Sequence, residues 1–407
     1  MLVVPVHLEI LCNCDAANAR NPIVELTPQS DGNLGCRPLA QPSSSPRSGY
    51  LAAQGSQQFG IRRPPSYLSP DDRALIGGRQ VAEGEMGSLR GWYPVVVTRG
   101  NGNPGVWWRF VGDEPLTEPF FCDTLGRLAG NRRVSRFTSV DSLRNAGGLE
   151  CLSPTAFLFH ASRCGSTLLA QLLATLPGGV VLSEPPAVES FLRCAAEEPT
   201  GPFDHSVLAG LIRVMGQRRS SADRHYFIKF ECWHIHSLPL LRAIFPGTPC
   251  VFLYRRPAEI LASHRRQRGR HMVSSLVAPA MLDTLHGDSH PADLDGLCAR
   301  VLASFFRAAA RFAAAGKVRL VHASQLPDLV WLGLLDDFSL PCSQSVIEPM
   351  KARSRFHAKR PTDPFAGDPP TVRAASDSSA HQQAVASYEI LEELRRQSDG
   401  TLNSDRG

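Results

Sequence analysis

The chain reads as an α/β protein built on a parallel sheet with helices on both of its faces. Two observations predict this: short, continuously apolar runs recur from about residue 155 onward, and helical patterns separate one run from the next. Its 407 residues, at ~150 per domain, suggest two or three domains. With 43% apolar and 20% charged residues, it has the composition of a globular chain able to bury a core.

Taken in order, residues 1–85 are expected to be a disordered extension. The stretch 12–79 is rich in Pro, Ser, Gln, Gly and Asn and has few periodic apolar positions, so it buries too little surface to offset its ordering entropy. Residues 86–150 form a small β/α module. Its hairpin spans 94–111, where RGNGNPG supplies the turn between an apolar strand and one holding Trp107, Trp108 and Phe110. A short helix follows, capped by Thr117, with Phe120, Phe121 and Leu125 on one side.

Residues 151–375 carry the main domain. AFLFH (156–160), VVLS (180–183), YFIKF (226–230), CVFLY (250–254) and VRLVH (318–322) read as strands. The intervening helices are placed at 167–176, 187–194, 236–245, from 257 to about 268, and 297–314. Residues 376–407 form one polar helix and a frayed end.

Composition also excludes classes. The 43 basic and 38 acidic side chains leave a formal charge of +5, too weak a field for wholesale binding to nucleic acid, so any anion site is local. The eleven cysteines are scattered without a CxxC pair, which argues against a disulfide framework and a zinc site and points to reduced cytoplasm. The longest apolar stretch, 301–315, carries Arg307 and Arg311, so no membrane span is expected. The first residues lack a basic leader and hold Pro5 and Glu9, unlike a secretory signal.

The strongest local signal is AFLFHASRCGSTLLAQLL, a buried strand ending at His160, a small-residue turn, and a helix starting near Ser166. Such a turn offers free backbone N–H groups and the positive end of a helix to an anion. Gly165 permits close approach of the backbone, Ser166 and Thr167 add hydroxyls, and Arg163 adds a fork-shaped cation suited to a tetrahedral oxyanion. Cys164 and Gly165 stand where a Walker A motif needs glycine and lysine, which disfavours an ordinary NTPase. The second signal, FLYRRPAEILASHRRQ, puts Arg255 at a strand end, Pro257 at a helix start and Ser263 two turns into that helix. Taken singly, the first motif reads equally well as a helix cap with Arg163 on the surface, and Arg255 and Ser263 read more often as a strand-end charge and a helix-face hydroxyl than as a ligand pair.

SRCGSTLL and YRRPAEILAS together resemble the two donor-binding elements of sulfotransferases that use 3′-phosphoadenosine-5′-phosphosulfate (PAPS), over about residues 155–270. The resemblance implies a three-layer P-loop-kinase-like fold, no required metal, and a 5′-phosphosulfate held by Arg163, Cys164, Gly165, Ser166, Thr167 and Leu168. It likewise implies that Arg255 and Ser263, eight residues apart, hold the 3′-phosphate. Arg163 stands where soluble members carry lysine and is more like the carbohydrate and tyrosylprotein branches.

Sulfuryl transfer needs a base at the attacking atom and positive charge at the departing oxygen. Glu184, directly after the second strand, is the expected base, with a helix cap as its alternative role. Lys229 resembles a lysine that assists the departing oxygen, but Glu231 stands where the soluble members' catalytic histidine would be, and His234 and His236 are the possible substitutes. Arg265, Arg266, Arg268 and Arg270 form a basic run that reads as a solvated helix end. Arg353, Arg355, Lys359 and Arg360 lie in a basic loop, 350–368, where family members fold a late segment over the nucleotide. The expected acceptor is a small molecule, carbohydrate or peptide, chosen by segments such as 273–290, with no specific nucleic-acid partner. A P-loop kinase-like phosphotransferase and a non-catalytic nucleotide-binding or interaction module are the competing readings.

Overall fold

Residues 24–28, 34–38, 78–100, 103–128, 135–145, 148–269, 272, 293–367 and 378–404 are described by a computed structural model of the chain. The acceptor-choosing segment 273–290, Arg270, and the bulk of the expected N-terminal extension lie outside them. Within that extension, Val24–Pro28 (β1) and Leu34–Pro38 (β2) pair antiparallel.

The module is a four-stranded sheet in the order β3-β6-β5-β4, with β3 at Gly78–Gln80, β4 at Trp92–Thr98, β5 at Gly105–Phe110 and β6 at Ser135–Ser139. The predicted hairpin is β4–β5. The strand SRFTS (β6) has too little apolar character to announce itself; Trp108 anchors it by donating from Nε1 to Thr138 Oγ1 at 3.0 Å. Helix α1 (Phe121–Arg127) follows the hairpin.

The five apolar runs form the parallel sheet β7 (Pro154–His160), β8 (Gly179–Ser183), β9 (His225–Lys229), β10 (Cys250–Tyr254) and β11 (Arg319–His322). The order is β11-β10-β7-β9-β8, so the first strand lies at the centre and the chain winds out to either side of it. Phe157, Phe159, Ile228 and Phe252 face one layer of the core, and Ala156, Leu158, Phe227 and Val251 the other. That period-two division explains why the runs are apolar throughout.

On the second face lie α2 (Ser166–Leu173) and, later in the chain, Gln344–Ser354. On the first lie α3 (Pro186–Glu197), α4 (His205–Met215), α5 (Leu238–Ile244), α6 (Pro257–Arg266) and α7 (Leu294–Ala314). The helix at Gln344–Ser354 is α8, and it leads into the short hairpin β12 (Phe356–His357) and β13 (Arg360–Pro364). The expected loop at 350–368 is thus the end of a helix followed by a hairpin. The C-terminal helix α9 (Ser379–Ser404) is less purely polar than its sequence suggests, because Ala380, Ala384 and Leu391 are buried in the core shared with α7. Among the described residues, no helix is long and apolar enough to cross a membrane.

Module and parallel sheet share one continuous apolar core. Backbone groups are satisfied across the seam: Val97 N–H donates to Ser190 Oγ at 2.8 Å, and Gln217 bridges Gly91 N–H and Trp92 C=O at 2.9 and 2.6 Å. At Gly210 of α4 an added Cβ would stand 1.9 Å from the Leu143 carbonyl oxygen, a backbone atom with no rotamer to yield. Gly210→Ala is therefore expected to destabilise the protein by about 1–3 kcal/mol, despite alanine's better helix propensity. An undiminished urea midpoint would contradict that close approach.

Candidate active site

The turn after β7 is shaped by its backbone. Ser162, Arg163 and Gly165 take positive φ values of 68°, 49° and 88°, and Glu184, after β8, takes 54°. Non-glycine residues resist this conformation, at a cost of about 1–3 kcal/mol each, and it persists where surroundings enforce it. Three of the four such residues in the described chain line a single cavity of about 710 Å³. The turn's positive-φ residues, with α2 starting at Ser166 and no side-chain bond from its N-cap, have the backbone geometry of a concave nest, which suits an anion. An added Cβ at Gly165 would meet Leu326 Cδ1 at 3.1 Å in addition to the positive φ, so the position suits glycine alone.

The cavity opens at the C-terminal ends of the parallel strands, beside the point where the winding reverses, which is where open α/β sheets hold ligands. Arg163, Cys164, Gly165, Ser166, Thr167, Leu168, Glu184, Lys229, Arg255 and Ser263 all line it. Arg255 leaves the end of β10 and pairs with Glu259 at 3.2 Å, while Ser263 lies two turns further along α6. Arg163 donates to the Gln267 carbonyl at 2.6 Å. The Cys164 side chain points away into the core, its thiol 3.2 Å from the Leu253 carbonyl and its pKa pushed up to about 11 by burial. It is a packing residue, whose backbone alone faces the nest.

Register brings the acid and the base together. Ser183 pairs with Lys229 across β8 and β9, and Glu184 N–H donates to the Lys229 carbonyl at 2.7 Å. The Lys229 ammonium, 1% exposed, then donates to Glu184 Oε1 at 2.5 Å, and His160 Nε2 stands 3.4 Å from that same oxygen. Burial raises the carboxyl pKa, but the ammonium charge and the adjacent imidazole outweigh it and hold Glu184 well below the ordinary range. Burial holds His160 below its usual value, so it is neutral near pH 7. The N-cap of α3 is Pro185, the residue after Glu184.

The proposed histidine substitutes lie elsewhere. His234 Nε2 is 2.9 Å from Glu189 Oε2, His236 Nε2 is 3.1 Å from Ser304 Oγ, and neither reaches the cavity. Glu231 does line it. In the basic run, Arg265 and Arg268 bond Asp295 at the start of α7 at 2.7 and 2.8 Å, and Arg266 faces the cavity. Of the late basic residues only Lys359 reaches the cavity: Arg353 bonds Gln171 at 3.0 Å and Arg360 pairs with Asp363 at 3.0 Å.

Sequence reading missed Phe120, His160 and His322 as lining residues. Phe120 precedes α1 in the module, and its ring lies 4.7 Å from the Lys229 ammonium and 5.2 Å from that of Lys359. No local pattern marks a phenylalanine for such a place; only packing of the module against the sheet puts it there.

No family model matches the chain, and no curated protein matches it. Solved structures do. A sulfotransferase domain from the curacin biosynthetic pathway is similar over 59% of this chain and 99% of its own, at 15% identity and a TM-score of 0.35. A sulfotransferase domain from the Synechococcus PCC 7002 olefin synthase is similar over 59% and 96%, at 15% identity and a TM-score of 0.32. The α/β architecture stands on this chain's own strand order and register.

Proposed function

We propose that the chain moves a sulfuryl group from PAPS to a hydroxyl or amine of a small-molecule, carbohydrate or peptide acceptor, in the cytoplasm. The observation that carries this reading is the convergence of the two motifs and the Glu184–Lys229 pair on one cavity. Six cationic side chains (Arg163, Lys229, Arg255, Arg256, Arg266, Lys359) line it against three acidic ones (Glu184, Glu231, Glu259), a balance suited to a polyanion.

In this reading the nest and Arg163 cradle the 5′-phosphosulfate, and Arg255 and Ser263 take the 3′-phosphate. The acceptor oxygen or nitrogen attacks sulfur in line, the bond from sulfur to the phosphate oxygen breaks, and adenosine 3′,5′-bisphosphate departs. Glu184 takes the acceptor's proton, and Lys229 meets the charge developing on the departing oxygen. The two roles are coupled. While Lys229 holds Glu184 the carboxylate is a poor base; as the ammonium turns toward the departing oxygen, Glu184 regains basicity when it is needed.

Titration of the purified protein with PAPS, adenosine 3′,5′-bisphosphate, adenosine 5′-monophosphate and magnesium ATP tests the reading. The bisphosphate is expected to bind more tightly than the monophosphate, and Arg255→Ala to remove roughly 10- to 100-fold of that preference. Preference for magnesium ATP would favour a phosphotransferase, and absence of nucleotide binding a non-catalytic module.

A further inference from the structure

Two parts of the chain that lie outside the parallel sheet meet over the transfer end of the cavity. From the N-terminal side comes Phe120, at the start of α1; from the C-terminal side comes Lys359, in the turn between β12 and β13. Both Lys359 and Lys229 direct an ammonium at the same Phe120 ring. An aromatic face attracts cations, so it gathers two like charges without neutralising either.

The charged groups around Lys359 leave its own charge poorly compensated. Arg163 from the turn after β7 and Lys229 from β9 repel it, while Glu184 after β8 and Asp123 of α1 attract it. Glu184 is already committed to Lys229, and Asp123, its pKa pushed up to about 6 by burial, accepts from the Phe120 N–H at 3.2 Å. On the hairpin itself, His357 Nδ1 accepts from the Lys359 backbone N–H at 3.1 Å, and Arg360 is paired with Asp363. Among the described residues no carboxylate lies within ion-pair distance of the Lys359 ammonium. Three cations thus converge on a space whose two nearby carboxylates, Glu184 and Asp123, both hold other partners, an arrangement that an anion placed between the cations would relieve.

We propose that Lys359 grips the 5′-phosphate end of a bound anionic donor together with Lys229 and Arg163, and takes a proton from solution as it does so. The inference rests on the sulfotransferase reading for the donor's identity, not for the coupling. Without a ligand, burial and then the repulsion of Arg163 and Lys229 lower the Lys359 pKa to about 8, so near that pH a large fraction of the amine is neutral. An anion restores the charged form. Anion affinity is therefore present in full below about pH 8 and is lost as pH rises through that value, by up to about tenfold per pH unit.

Calorimetric titration of the full chain tests this, with adenosine 3′,5′-bisphosphate and separately with inorganic pyrophosphate, at pH 8 in two buffers of different ionisation enthalpy. Comparing wild type with Lys359→Arg cancels the anion's own protons. Wild type is expected to take up about half a proton more per anion than Lys359→Arg, the excess vanishing near pH 6.5. Lys359→Met should lose both the excess and much of the affinity, with its thermal midpoint reporting that it is folded. If the bisphosphate binds equally well at every pH, or with the same proton uptake in wild type and Lys359→Arg, the inference falls while the sulfotransferase reading stands. If pyrophosphate binding carries the excess but the 3′-phosphate adds nothing, the coupling stands and the donor assignment falls. If neither anion binds, both fall.

Discussion

Replacing Lys229 with methionine is expected to destabilise the protein by about 3–5 kcal/mol, because it leaves the Glu184 carboxylate buried without its cation. Both side chains are almost fully enclosed, at 1% and 7% exposure, so water cannot take over the role of the ammonium. The expected partner result is that Lys229→Met combined with Glu184→Gln recovers much of the loss, since the double variant buries no uncompensated charge. Urea midpoints of the wild type, the two single variants and the double variant close the cycle. A Lys229→Met midpoint equal to that of the wild type would show that the pair is not formed. The pH dependence has a definite sign. Glu184 has a folded pKa below its unfolded value, so its contribution is present above about pH 4.5 and is lost as pH falls through the folded value. The stability gap between wild type and Glu184→Gln is therefore expected to be flat from neutral pH to about 5 and to shrink below it.

Glu184→Gln is expected to lower kcat for sulfuryl transfer by about 10²- to 10⁴-fold, the usual contribution of a positioned general base. Donor affinity should change far less, because the amide keeps the shape of the carboxyl group and the nest and Arg255 remain. The pH profiles carry a second expectation. The acid limb of kcat/KM reports the free enzyme, in which Lys229 holds Glu184 well below the ordinary carboxylate range. The acid limb of kcat reports the ternary complex, in which the ammonium is drawn toward the departing oxygen, so it should lie at higher pH. Coincident limbs, or a kcat within a few-fold of wild type in Glu184→Gln, would remove Glu184 from the proton transfer and bring forward Glu231, which lines the same cavity.

The parallel sheet was legible in the sequence because burial on both faces leaves a run such as AFLFH apolar up to the His160 at its end, and because Pro257 marks a helix start locally. The turn after β7 was legible for a similar reason: strand end, small turn and helix start are contiguous, and their residue types report their conformations. Strand β6 and helix α9 were harder. SRFTS resembles a loop until Trp108 and the β5 ladder claim it, and the α9 helix shows its apolar face only when α7 is there to cover it.

The sequence by itself determined the strands, the small-residue turn that runs into an uncapped helix start, and the Arg255 to Ser263 spacing, each set by local backbone preference and side-chain period. Only the tertiary structure decided that Lys229 grips Glu184, that His234 and His236 serve Glu189 and Ser304 instead of the cavity, and that Phe120 and Lys359 meet across it. These contacts join residues 45 or more positions apart, or depend on which way a strand end turns. Register and packing fix such contacts, and no short stretch of sequence encodes either one.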